Sequence, residues 1–125
     1  MILEVNSVDR TEFAKRMRTI TTMSDAEINK VIVDSIDSNV DDKNPRGHRY
    51  LIIVMEELAE LAQEVSKQLR GKGDKNALIE ESADVLLGIR YIQEIVGITV
   101  DELNKAMSVK AERIANTQAK FGLYV

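Results

Sequence analysis

The chain of 125 residues has no cysteine, which excludes a disulfide framework, a zinc–thiolate site and a thiol nucleophile. Tryptophan is absent and histidine occurs once, at His48. Any catalysis must therefore run on carboxylates, lysines, arginines, hydroxyls or a bound metal. Proline also occurs once and glycine six times, too few turn formers for an all-β fold with many reversals. No window approaches the roughly 18 uninterrupted apolar residues of a membrane span. The start, Met1-Ile2-Leu3-Glu4-Val5-Asn6, lacks the basic flank and apolar stretch of a signal peptide. These absences argue against a membrane partner and make the cytoplasm the default location. A net charge of −4 and a pI of about 5.1 argue against a nucleic-acid binder held by phosphate contacts.

What is present is helical periodicity. The length predicts one domain, residues 1–125, and a thin helical arrangement of this size would lean on a partner subunit. A first helix is expected from near Asp9 through Phe13, Met17 and Ile20. A second follows Ser24, whose spacing to Glu27 is that of a capping box, with Ile28, Val31, Ile32 and Ile36 at helical spacing. The polar run Asp37 to Asn44, with Asp41-Asp42-Lys43-Asn44, reads as a loop. Asn44-Pro45 then resembles an N-cap followed by proline at the first helical position, opening a long helix to about Arg70. Gly71-Lys72-Gly73-Asp74 is a tight connector, too short for a phosphate loop, and Asp74 can cap the next helix. That helix is expected from Lys75 to Val96, stopped by Gly97. Thr99 with Glu102 makes a second capping box, opening a last helix to about Lys120, after which the tail Phe121-Gly122-Leu123-Tyr124-Val125 is expected to be irregular or to pack on a partner. The expected fold class is all-α, a helical bundle with a long antiparallel hairpin. Residues 1–44 form an N-terminal helical extension and residues 45–120 the remaining helices.

The chemistry-bearing segments are Glu56-Glu57-Leu58-Ala59-Glu60 and Glu80-Glu81-Ser82-Ala83-Asp84. Glu57/Glu60 and Glu81/Asp84 are each three residues apart, so each pair shares a helix face with Cβ atoms about 5–6 Å apart. With Lys72 as the hairpin midpoint, Glu60 and Asp84 are level, and the centres of the two pairs differ by about three residues, or ~4.5 Å at 1.5 Å per residue. Antiparallel helices about 8–10 Å apart would then place four carboxylates around one volume, depending on the connector's length and each helix's rotation. Converging acids repel and some must stay protonated unless a cation joins them. An all-oxygen set suits magnesium better than zinc. The bland alternative is two solvated acidic faces, since charge runs on helices are common.

At these residues the sequence resembles the MazG-like, all-α NTP pyrophosphohydrolase superfamily, in particular its short phage-type members. The family pattern EExxE…ExxD is matched by Glu56-Glu57-x-x-Glu60 and, after 20 residues, Glu81-x-x-Asp84. The likeness extends over Leu69-Arg70-Gly71-Lys72-Gly73-Asp74, Asp84-Val85-Leu86-Leu87, Gly97-Ile98 and Lys110-Ala111-Glu112-Arg113, roughly Arg46 to Arg113. The resemblance implies hydrolysis of a (deoxy)nucleoside triphosphate to the monophosphate and pyrophosphate. Glu57, Glu60, Glu81 and Asp84 would bind magnesium, with manganese able to substitute, and Glu56 or Glu57 would orient or deprotonate the attacking water. It also implies a homodimer or a dimer of dimers. Lys110 and Arg113 match the family's closing segment and would contact the triphosphate; Lys105 and Lys120 fit that role or a solvated basic face. His48 is a further candidate for a substrate contact, or a surface histidine. Tyr91, seven residues after Asp84, would stack on a base or pack with its hydroxyl bonded. Gly88 would leave room at the site or permit close helix packing.

Other readings differ in class. A phosphoribosyl-ATP pyrophosphohydrolase would share fold and metal logic. A non-catalytic helical oligomerisation module would leave the acids solvated and show no metal-dependent stabilisation. A di-iron carboxylate bundle needs two Glu-x-x-His pairs, and one histidine excludes it.

Overall fold

In the computed structural model, which describes residues 10–41 and 43–121 and side chains through residue 117, helices form where the apolar spacing repeats. They are α1 (Arg10–Thr19), α2 (Asp25–Asp37), α3 (His48–Leu69), α4 (Lys75–Val96) and α5 (Val100–Phe121). The fold is all-α: the described residues contain no strand, only an isolated bridge between Asp41 and Asn44. The expected helix start at Asp9, Asp42 of the loop, the side chain of Lys120 and the tail from Gly122 to Val125 lie outside the described residues. Among the described residues no helix is long and apolar enough to cross a membrane.

Both capping boxes form. Ser24 Oγ accepts from the Glu27 N–H at 3.1 Å, while Glu27 Oε1 accepts from the Ser24 N–H at 2.8 Å. Thr99 and Glu102 repeat the exchange at 3.0 and 2.8 Å. Asp74 accepts from the Asn76 N–H at 3.0 Å, satisfying a donor at the start of α4.

The start of α3 corrects the expectation placed on Asn44-Pro45. The helix begins at His48, and its N-cap is Gly47, held at φ 85°. A left-handed residue cannot continue a right-handed helix. A Cβ at Gly47 would also lie 2.5 Å from Ile95 Cγ1, so the end of α4 requires glycine there. Asn44 is engaged elsewhere, since its N–H and side-chain amide both donate to Asp41 Oδ1, at 2.9 and 3.0 Å.

The chain divides into two units, Met1–Ile95 and Val96–Val125. The core of the first joins α2 to one half of the α3–α4 hairpin. Ile32, Ile36 and Tyr50 are buried, with Ile28, Ile53, Tyr91 and Ile95 packed against them. The rings of Tyr50 and Tyr91 stack at 4.4 Å with a 10° interplanar angle. The Tyr50 hydroxyl donates to Ser35 O at 3.2 Å and accepts from Asn39 at 3.0 Å. Arg90 on α4 reaches Asp25 and Asn29 on α2, at 2.9 and 3.0 Å. Arg46 bridges Asp37 and Glu94, at 2.9 and 3.1 Å. In the second unit, α5 carries exposed Lys110 and Arg113 three residues apart on one face.

Register along the hairpin decides what faces what. Tyr50 meets Tyr91, Val54 meets Gly88, Glu57 lies beside Asp84 and Glu60 beside Glu81. Tyr50 with Tyr91 and both acid couples are symmetric about Arg70–Gly71, and Val54 with Gly88 about Gly71, not about Lys72, so the two acidic pairs are level and the expected ~4.5 Å offset vanishes. The connector explains the shift. Gly71, at φ 75°, closes α3 with Lys72 N donating to Lys67 O at 2.9 Å. Residues 72–74 are then non-helical, and each can advance the chain by up to about 3.3 Å against 1.5 Å in a helix. Counting residues equally on both sides of Lys72 misses that difference.

Candidate metal centre

Carboxylate oxygens of Glu57, Glu81 and Asp84 lie within 4.8 Å of one another between α3 and α4. Glu60 stands close enough to Glu81 for its charge to raise that carboxyl, and so completes the four expected acids. Helical spacing brings each pair to one face, and the contact between Gly88 and Val54, one turn away, brings the faces close. A Cβ built at Gly88 would stand 3.2 Å from Val54 Cγ2. Gly88 thus serves close helix packing, the second of the two roles expected for it.

Burial and like charge act together on these groups. Burial is the main cause pushing the Glu57 carboxyl up to about 8, reinforced by the adjoining Asp84 and by the charges of Glu60 and Glu81. Glu81, only 3% exposed, is pushed up to about 7 by burial first and then by Glu60 and Asp84, against the pull of Arg10. Two buried side-chain oxygens among the described residues have no hydrogen-bond partner, Glu57 Oε2 and Glu81 Oε2. Both belong to the triad. A buried acceptor without a donor is costly, roughly 1–3 kcal/mol, and a cation is one species that satisfies several at once. The donor set is oxygen only, which fits a hard divalent ion such as magnesium and offers nothing to a soft one.

The local motif did not reveal the site's surround. Arg10, the first residue of α1, places Nη1 2.9 Å from Glu80 Oε1 and Nη2 3.2 Å from Glu81 Oε1 and 3.6 Å from Glu64 Oε2. Lys67 Nζ lies 3.1 Å from the same Glu64 oxygen. Burial raises the Glu80 carboxyl, while Arg10 opposes the shift. Glu64 is legible in retrospect, standing four residues after Glu60 and seven after Glu57 on the same helix face, as one turn and two turns would place it. Arg10 carries no such signal, because its partners are 54 to 71 residues away in the chain.

The other expected site residues are spread more widely. Glu56 is exposed and stands outside the facing set. His48 is exposed in the first turn of α3, and its nine-residue separation from Glu57 is ~13 Å along the axis. It therefore does not join the carboxylates. Tyr91 has one ring face covered by Tyr50, and its raised hydroxyl owes most to burial, with the nearby Ser35 acting the other way. That is packing against a partner ring, not a ring open on both faces to a base. Lys110 and Arg113 belong to the second unit and are exposed on α5. Compared with known proteins, the chain matches no family model, no curated protein and no solved structure.

Proposed function

We propose that the protein is a magnesium-dependent hydrolase that cleaves a nucleoside triphosphate, ribo or deoxy, to the monophosphate and pyrophosphate, manganese substituting. The observation that carries this reading is the level quartet Glu57, Glu60, Glu81 and Asp84, with two buried oxygens lacking any partner. The resemblance of Glu56-Glu57-x-x-Glu60 and Glu81-x-x-Asp84 to the MazG-like motif supplies the substrate class. When bound there, magnesium supplies neutralisation of phosphate charge and a lowered pKa for coordinated water. The quartet would hold the ion. Of Glu56 and Glu57, Glu57 is half-buried with a free oxygen and Glu56 is exposed, so Glu57 is the one assigned to orient the attacking water or, with the cation bound and its own proton displaced, to deprotonate it. Water oxygen bonds to the α-phosphorus, the bond from that phosphorus to the α–β bridging oxygen breaks, and pyrophosphate leaves with the electron pair. The resemblance of Lys110-Ala111-Glu112-Arg113 to the family's closing segment is what assigns Lys110 and Arg113 to a triphosphate, as a point charge and a fork.

Product analysis of a panel of NTPs and dNTPs with magnesium, with and without EDTA, tests the reaction. Monophosphate and pyrophosphate, lost with EDTA, are expected. Diphosphate and phosphate would place the attack on another phosphorus and refute the proposal.

The reading includes self-association, and a stripe on α3 supports it. Leu51, Met55, Leu58, Ala62, Val65 and Leu69 are all exposed, up to 71% at Met55 and 85% at Leu69. Their 4-3-4-3-4 spacing is that of a coiled-coil seam and is palindromic about residue 60. An antiparallel two-fold would pair position 51 with 69, 55 with 65, and 58 with 62, large against small. The flanking Ile52, Ala59 and Ser66 are uncharged, so two copies meet without like-charge repulsion. The same stripe favours the second reading, a non-catalytic oligomerisation module. That reading predicts assembly without turnover and no stabilisation by magnesium.

A further inference from the structure

We propose that Arg10 is a positioning residue that sets which divalent cation the carboxylate cluster prefers, by leaving Glu81 a single free oxygen. This rests on the metal-centre reading above.

The two oxygens of Glu81 have different surroundings. Oε1 accepts from Arg10 Nη2 at 3.2 Å, while Oε2 is buried without a partner in a residue 3% exposed. The second arm of the guanidinium is anchored by Glu80, whose Oε1 accepts from Nη1 at 2.9 Å. Glu64, 3.6 Å from Nη2, adds charge on the same side. Glu80 and Glu64 thus hold the fork in place, and the fork occupies Glu81 Oε1.

That division discriminates between ions. Calcium accepts six to eight oxygens at about 2.3–2.6 Å and readily takes both oxygens of a carboxylate. Magnesium demands near-octahedral geometry at about 2.0–2.1 Å, which the narrow bite of a two-oxygen carboxylate fits poorly. With Oε1 held by arginine, Glu81 offers one oxygen, and the cluster loses a two-oxygen ligand that calcium would use. A planar guanidinium is suited to the task because one group spans two carboxylates at once, whereas an ammonium is a point charge on a flexible stem.

The test is calorimetric titration of the full chain with magnesium alone and calcium alone, at fixed pH and ionic strength, for wild type, Arg10→Gln, Arg10→Lys and Glu80→Gln. Glu80→Gln loosens the anchor of Arg10 without altering a residue of the quartet. The expected result is a ratio of calcium to magnesium affinity raised about tenfold in Arg10→Gln, the scale on which groups behind a metal's ligands act. Arg10→Lys and Glu80→Gln should move the ratio in the same direction. Parallel changes in both affinities, leaving the ratio as in wild type, would overturn the proposal, because a mere charge effect does not distinguish the two ions. If Arg10→Gln fails to fold, the Glu80→Gln ratio decides. Intact metal binding with an unchanged ratio refutes the role of Arg10 alone. No binding of either ion by wild type refutes the metal-centre reading and this proposal together.

Discussion

Glu57 and Glu81 hold their protons more tightly in the folded chain than an ordinary glutamate titrating near 4.5, reaching about 8 and about 7. Between that ordinary value and about 8 the native state carries more protons than the unfolded one, so the metal-free fold loses stability as pH rises through this window. The loss is complete above it. Glu27, Asp41 and Glu102 shift the opposite way, through hydrogen bonds to their charged forms, and their contributions are lost only as pH falls towards and below their ordinary range. Thermal unfolding in EDTA should therefore show a Tm that falls from about pH 5 to about pH 8, with magnesium flattening the decline. A Tm that rises steadily across the window in EDTA would contradict the assignment of these two carboxyls. Glu57→Gln removes one repelling acid while keeping its shape. Its metal-free Tm near pH 8 should equal or exceed wild type, while the magnesium-induced rise in Tm and nucleotide hydrolysis are lost. Full activity in the Glu57→Gln variant would remove Glu57 from the site.

At the scale of elements, the separation of α3 and α4 beside the acids depends on Gly88 facing Val54. Gly88→Ala should be close to neutral, because about 1 kcal/mol of helix propensity is offset by a methyl placed tightly against valine. Gly88→Leu should destabilise by roughly 1–3 kcal/mol and weaken magnesium binding, as the overpacked hairpin opens. Chemical denaturation measures the first effect and calorimetry the second. Helices and most caps were legible because each depends on residues within one turn: Ser24 with Glu27, Thr99 with Glu102, glycine at 97. Asn44-Pro45 misled because it is locally a good helix start, and a contact with Ile95 on another element placed the boundary at Gly47 instead.

For the whole molecule, the buried hydrophobic set among the described residues is small: Ile32, Ile36, Tyr50, Val54 and Ala77. Many large apolar side chains remain exposed, and those on α3 form one continuous seam. Burying them against a second copy removes apolar surface that the lone chain leaves in water, each fully buried side chain contributing roughly 1.5–3 kcal/mol. Leu58→Glu places a charge near the centre of the seam, next to its palindromic midpoint. On the proposed assembly, light scattering should show wild type larger than a monomer and Leu58→Glu monomeric, without loss of helix content by circular dichroism. A variant that assembles like wild type would remove this face from the interface.

The helical class, the bounds of α4, two capping boxes and the pairing of acids on each helix could all be read from the residues in order, because each follows from neighbours three or four residues apart. Composition also restricted the ligands of any bound metal chiefly to oxygen, through the absence of cysteine and the scarcity of histidine. That Glu57 faces Asp84 and Glu60 faces Glu81 emerged only in three dimensions, since register depends on the path of a non-helical connector. The same holds for Tyr91 packing on Tyr50, for Gly47 beginning α3, and for Arg10 and Glu80 standing behind Glu81. Those contacts join residues up to 71 positions apart, and no local periodicity encodes which distant side chain will neutralise a buried charge.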